Sequence, residues 1–211
     1  MGEVSGTKFL YKQTFGPVET KEAGKERLVS TYRPIEMMFA ATGKNPKDFS
    51  GKDVLNVGAG ETHWGFELAK YGVVPRRFEN TDIAYAEQSI PRRLAGKAFM
   101  AESVSDVKQE LPFKDDSFDI LWCSYAPRNW KEFIRVVRPG GEIFVLGGIT
   151  EDLAKHVSQR LSFPVTCQKI DKIKVEEWTN RARKHKSSVS FLKGKNILVI
   201  KKPAEKEEVG K

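Results

Sequence analysis

Apolar and polar positions along this chain follow two alternating spacings. From Lys21 to Thr42, Leu28, Val29, Tyr32, Ile35, Met38 and Phe39 recur at three- and four-residue steps. That is the period of an amphipathic helix, and it ends near Gly43. Pro34 falls inside it and predicts a kink or a split. Asp53–Val57 (DVLNV) is a short continuous run bounded by Gly51 and Gly58, which reads as a buried strand. Trp64, Phe66, Leu68, Ala69 and Tyr71 return to helical spacing. Arg76 to Asp82 reads as a second strand, Ala84 to Leu94 as a helix broken at Pro91, and Ala98 to Val104 as a third strand. Phe118–Ser124 (FDILWCS) is a fourth strand. Asn129 to Val137 is helical and stopped by Pro139-Gly140-Gly141, and Glu142–Leu146 is a fifth strand. A helix over Glu151–Leu161, a strand over Pro164 to Ile170, a polar helix over Val175 to Lys184 and a strand over Asn196–Lys201 complete the order.

Strands alternating with helices predict a parallel sheet covered on both faces, and the two late strands predict an antiparallel edge. Residues 1–20 mix Gly and Pro without a period and read as an irregular arm. The charged tail 203–211 (PAEKEEVGK) is predicted to be disordered.

A length of 211 residues favours one domain with decoration. With 39% hydrophobic and 30% charged residues and a mean hydropathy of −0.47, the composition is water-soluble and globular, which excludes a wholly disordered chain. No apolar run approaches the roughly 20 residues of a bilayer span, and the N-terminus lacks a signal-peptide core, so no membrane association is expected. Cys123 and Cys167 match neither a disulfide framework nor a zinc spacing. A reducing, cytoplasmic compartment is the resulting expectation, with no metal site.

Charge changes the picture only at one end. Of the net +8, +7 falls after residue 150 (15 basic against 8 acidic residues), while residues 51–150 carry −1 (13 against 14). Arg181, Arg183, Lys184, Lys186, Lys193 and Lys195 form a stretch with no acid among them. Such a stretch is either a contact surface for phosphate-bearing partners or a solvated loop that maintains solubility.

The candidate chemistry lies in Val54-Leu55-Asn56-Val57-Gly58-Ala59-Gly60-Glu61-Thr62-His63. A buried strand runs into a Gly-x-Gly turn and then a helix. Glycines permit close approach of a ligand to the backbone there, and open parallel sheets gather ligands outside the carboxyl ends of their strands. A dinucleotide fingerprint needs a glycine where His63 stands, and no Gly-Lys-Ser/Thr phosphate loop follows. Twenty-two residues after Gly60, Asp82 ends the second strand, where a carboxylate accepts from a ribose diol. Leu111-Pro112-Phe113, Asp115-Asp116-Ser117-Phe118-Asp119 and Arg135-Val136-Val137-Arg138-Pro139-Gly140-Gly141 follow in order.

In this order and spacing, the motifs over residues 51–150 resemble the class I S-adenosylmethionine-dependent methyltransferases, chiefly the broad family that holds many small-molecule methyltransferases. The resemblance implies a doubly wound Rossmann-like α/β sheet of seven strands, mostly parallel with an antiparallel C-terminal edge strand, in the order 3-2-1-4-5-7-6. It divides the chain into an N-terminal arm and helical lid (1–50), a methyltransferase domain (51–202) and the tail (203–211). It implies S-adenosylmethionine as cofactor, held by Asn56, Gly58, Ala59, Gly60, Asp82, Asp106 and Ser124. Three departures stand out: Asn56 replaces the usual opening acid, Thr62 the third glycine, and Asp106 stands one residue from the usual adenine-binding acid.

The loop after the fourth strand, Ser124-Tyr125-Ala126-Pro127-Arg128-Asn129-Trp130, matches the family's acceptor-facing segment. It departs after its first residue from the Pro-Pro-aromatic phrase of base-methylating enzymes. Tyr125 and Trp130 are candidates for lining an aromatic acceptor pocket. Methyl transfer needs positioning more than proton transfer, and His63 and Tyr125 are the candidate catalytic side chains. A small-molecule acceptor is favoured. An RNA methyltransferase using residues 181–195 and a cofactor-binding protein without catalysis are the competing readings.

Overall fold

The computed structural model describes residues 34–59, 64–81, 100–103, 110–162, 164–183 and 188–204. The described chain begins at Pro34, and helix α1 (Glu36–Thr42) starts two residues beyond it. A short 3-10 helix (Pro46–Phe49) leads into β1 (Asp53–Val57) and α2 (Trp64–Lys70). Then come β2 (Arg77–Thr81), β3 (Met100–Ser103), β4 (Phe118–Ser124), α3 (Trp130–Val136) and β5 (Val137–Leu146). The chain continues through α4 (Glu151–Leu161), β6 (Val165–Lys169), α5 (Lys172–Arg183), a 3-10 turn (Ser190–Leu192) and β7 (Asn196–Lys201). The helix expected over Ala84 to Leu94 lies outside the described residues, as do the arm 1–20, the part of the first expected helix before Pro34, and the tail 203–211 beyond residue 204.

The strands form one seven-stranded sheet in the order β3-β2-β1-β4-β5-β7-β6. Ladders from β3 to β5 are parallel, whereas β7 is antiparallel to both β5 and β6. The antiparallel pairing thus sits at the C-terminal side of the sheet, with β7 one strand in from the margin that β6 forms.

Alternation along the strands divides the core in two. Val54, Phe78, Ile120, Trp122 and Phe144 face one side and pack with Met38 and Phe39 of α1, Trp64 and Leu68 of α2 and Trp178 of α5. Leu55, Val57, Leu121, Cys123, Ile143 and Val145 face the other, against Phe133 of α3 and Val157 of α4. Residues Ile35 to Ala41, in the segment expected to form a lid, are buried in the first of these layers. Tyr71 donates to Glu36 beneath that layer, and burial together with this carboxylate pushes the phenol well above its usual range.

The Pro139-Gly140-Gly141 phrase, predicted to stop the helix, stands beyond it: α3 ends at Val136 and β5 begins at Val137. It lies within β5 as an irregularity between the Phe118/Val137 and Ile120/Glu142 pairs. Gly141 permits it: a Cβ there would stand 2.6 Å from Val137 Cγ1 and 2.9 Å from the Asp119 carbonyl oxygen.

The motif arginines hold this lower end of the sheet. Arg138 donates to Asp119 at 2.7 Å and to Asp53 at 2.9 Å, and Arg76 donates to Asp53 at 2.8 Å. The Arg76 hydrogen bond holds the Asp53 carboxyl below its ordinary range against the opposing effect of burial. A carboxylate depressed in the folded state stabilises the fold above its unfolded pKa, and that stability is lost as pH falls through the folded value. Urea unfolding is therefore expected to show stability declining below about pH 4. Asp53→Asn should remove part of that acid dependence; the same acid dependence in wild type and D53N would contradict this role.

Candidate functional site

At the carboxyl end of β1 the chain turns sharply at Gly58, whose φ is +66°. The N–H groups of Gly58 and Ala59 both donate to the Thr81 carbonyl, at 2.9 and 3.2 Å, tying the turn to the end of β2. A Cβ on Gly58 would stand 2.3 Å from the Ala126 Cβ. The glycine turn is therefore wedged between the end of β2 and the loop that follows β4, and only glycine satisfies both the dihedral and the space.

Beneath the turn, Asn56 is 1% exposed and donates from Nδ2 to Asn80 Oδ1 at 3.0 Å. In register it lies between Asn80 on β2 and Trp122 on β4. Asn80 Nδ2 and Trp122 Nε1 are buried without a hydrogen-bond partner. Two such donors flanking Asn56 mark this as a polar floor rather than ordinary core. Trp64, first residue of α2, packs on Trp122 with ring centroids 5.7 Å apart.

The loop after β4 forms the other wall. Ser124 is buried at the strand end, and Tyr125 N–H donates to the Leu146 carbonyl at 3.0 Å. Tyr125 has φ +54°, a left-handed conformation that a bulky residue adopts at a cost and that clusters at functional sites. Its ring lies on Gly147, where a Cβ would stand 2.8 Å from Cδ1. Arg128 reaches over the same glycine pair and donates from Nη2 to the Gly147 carbonyl. Tyr125, Ala126, Pro127, Arg128, Trp130 and Leu153 line an open depression of about 540 Å³.

The structure thus brings together Asn56, Gly58, Ala59, Ser124 and Tyr125 at the carboxyl ends of β1 and β4. Gly60, His63, Asp82 and Asp106 lie outside the described residues. Sequence reading passed over Asn80, Arg128 and Gly147-Gly148. A Gly-Gly pair directly after a strand was the available signal for the last, with φ of +104° and +59°.

The basic stretch is not acid-free in space. Arg181 pairs with Glu177 at 3.0 Å and lies over the Trp178 ring at 4.5 Å, and Lys193 stands 3.9 Å from Glu176. These acids come from earlier turns of α5, which a linear reading of 181–195 excludes. Lys184 and Lys186 lie outside the described residues. Among the described residues no helix is long and apolar enough to cross a membrane, and no group of three or more His, Cys, Asp or Glu is arranged to hold a metal ion.

Comparison with known proteins places this geometry. The chain is 30% identical over 130 residues to a 23S rRNA (guanine(748)-N(1))-methyltransferase of Streptomyces fradiae, covering 60% of this chain and 44% of that protein. It is 30% identical over 105 residues to a demethylmenaquinone methyltransferase of Bacillus velezensis, covering 46% and 45%. The matches thus span less than half the length of these two relatives. In fold it is similar to a chain of the complex between the Haloferax volcanii Trm112 methyltransferase activator and a methyltransferase, with a TM-score of 0.52 at 17% identity over 83% of this chain and 92% of that one. It is also similar to an S-adenosylmethionine-dependent methyltransferase of Mesorhizobium loti, with a TM-score of 0.50 at 12% identity over 72% and 91%. The model of the ubiE/COQ5 methyltransferase family matches residues 36–158, more than half of the chain. This agrees with the class I resemblance read from the motifs, so S-adenosylmethionine is the cofactor, and the chain belongs to the ubiE/COQ5 methyltransferase family.

Proposed function

We propose that this protein is an S-adenosylmethionine-dependent methyltransferase acting on a small-molecule acceptor held in the depression between the β4 loop and α4. One observation carries the reading: Ala126 lines the depression and also closes over Gly58, so the cofactor turn and the pocket share a wall. At about 540 Å³, the depression is of a size that suits a small ligand.

The residues present fit the cofactor. Gly58 lets the turn at the end of β1 close against the β4 loop, and the Asn56–Asn80 pair supplies a polar floor with an unpartnered donor. Gly58, Ala59 and Gly60 would hold the methionine part, Asp82 the ribose hydroxyls and Asp106 the adenine, with Asn56 and Ser124 beneath. When bound, S-adenosylmethionine would supply an electrophilic methyl on a sulfonium, with the neutral thioether as its leaving group. Tyr125 and Trp130 orient the acceptor, so the protein works by positioning. His63 and Tyr125 are the candidate groups for an acceptor that must lose a proton.

An RNA acceptor is the second reading, supported by the rRNA methyltransferase among the relatives. The pairing of Arg181 and Lys193 with acids weakens its electrostatic basis. Incubating the full chain with methyl-labelled S-adenosylmethionine and a fractionated extract separates the readings. Label is expected in the small-molecule fraction. Label confined to RNA overturns the acceptor assignment, and label in no fraction favours a cofactor-binding protein without catalysis.

A further inference from the structure

Four arginines among the described residues are partly buried: Arg77, Arg128, Arg135 and Arg138. Arg77 pairs with Glu79 at 3.2 Å, Arg135 with Glu132 at 2.6 Å and Arg138 with Asp119 at 2.7 Å. Arg128 has no carboxylate within ion-pair distance among the described residues. Its Nη2 donates to a neutral carbonyl, that of Gly147, and its Nε is buried with no hydrogen-bond partner among the described residues. Taking a guanidinium partly out of water without a counter-charge is costly, and burial of its Nε leaves a strong donor unmade.

The fold is arranged to keep it there. Gly147 and Gly148 turn at the end of β5 with positive φ, exposing a carbonyl for the guanidinium to hold. A Cβ on Gly148 would stand 3.8 Å from Arg128 Nη2, and one on Gly147 would strike the Tyr125 ring. The ring and the guanidinium are therefore laid side by side over bare backbone, both lining the depression together with Trp130.

We infer that Arg128 is the specificity-determining residue of the acceptor site: it receives an acidic oxygen group, carboxylate or phosphate, carried on a planar ring that Tyr125 and Trp130 hold. The inference rests on the methyltransferase reading, because it takes the depression to be the acceptor site. A guanidinium binds such oxygens with two parallel N–H donors, and charge-assisted bonds are roughly twice as strong as neutral ones. The neutral isostere of the same ring should then bind clearly less well.

The test titrates the full chain, saturated with S-adenosylhomocysteine, with benzoate, benzamide and phenyl phosphate, followed by ligand-observed NMR. Benzoate or phenyl phosphate is expected to bind at least about tenfold more tightly than benzamide, and the tighter of the two anions identifies the group. Arg128→Gln should abolish the preference while leaving S-adenosylhomocysteine affinity within about twofold, and Arg128→Lys should restore only part of it. Equal binding of the acids and the amide to the wild-type chain overturns the inference without any variant. A preference that survives in R128Q overturns it too. Failure of S-adenosylhomocysteine to bind the wild-type chain is a different outcome, which removes the methyltransferase reading itself.

Discussion

Gly58→Ala is expected to weaken S-adenosylhomocysteine binding by at least about tenfold and to destabilise the fold by about 2–4 kcal/mol. Two separable costs add. A left-handed φ of +66° disfavours any residue with a Cβ, by about 1–2 kcal/mol. The new methyl would also stand 2.3 Å from the Ala126 Cβ, so the turn and the β4 loop must move apart. The double variant G58A/A126G separates these costs. Removing the Ala126 methyl relieves the collision and leaves the dihedral cost, so the pair should couple favourably by about 1–2 kcal/mol in a double-mutant cycle. The loops that part in G58A are those shared by cofactor turn and pocket, so affinity and stability should fall together. Calorimetric titration with urea unfolding measures both, and a G58A protein with wild-type affinity would contradict the shared wall.

The second large effect lies away from the site. Glu132 accepts from the Leu111 N–H at 2.8 Å and from Arg135 at 2.6 Å, and its side chain is only 7% exposed. Arg135 in turn donates to the Leu111 and Phe113 carbonyls, at 2.9 and 2.7 Å. The Leu111-Pro112-Phe113 phrase is thereby pinned to α3. Glu132→Ala leaves the buried Leu111 N–H without its acceptor and strips Arg135 of its buried carboxylate, leaving it the exposed Asp115, and is expected to cost about 3–5 kcal/mol. Glu132→Gln keeps an oxygen for Leu111 and should cost clearly less. The Arg135 hydrogen bond holds the Glu132 carboxyl below its usual range, so this stabilisation is present at neutral pH and fades in acid. Urea unfolding of E132A within about 1 kcal/mol of wild type would contradict the network.

These two positions show what the sequence makes legible. The runs DVLNV and FDILWCS, each buried and bounded by turn residues, read directly as strands and are found at those bounds. The Arg135-to-Gly141 phrase identifies the family, yet its arginines face carboxylates and carbonyls at the lower end of the sheet, far from any cofactor chemistry. Spacing shows that arginines recur there, but not which carboxylates the fold delivers to them. The same blindness affects residues 181–195, where Glu176 and Glu177 arrive from earlier in α5. Pro139 to Gly141 reads as the stop of a helix because Pro and Gly break helices, whereas the helix has already ended at Val136 and the phrase accommodates an irregular register in β5. At the site, the glycine turn was legible because its residue types have one conformational purpose. Arg128 was not, since its meaning depends on partners it lacks.

On the proposed function, the Gly58 turn and the Tyr125–Trp130 loop together form a methyl-transfer site. The decisive experiment titrates the full chain with S-adenosylmethionine and follows tryptophan emission, since Trp122, paired in register with Asn56, packs at a tilt on Trp64. Saturable one-to-one binding in the micromolar range is expected, with a change in tryptophan emission that G58A displaces to higher concentration. No binding to the wild-type chain, or binding that G58A leaves untouched, would overturn the assignment of this site.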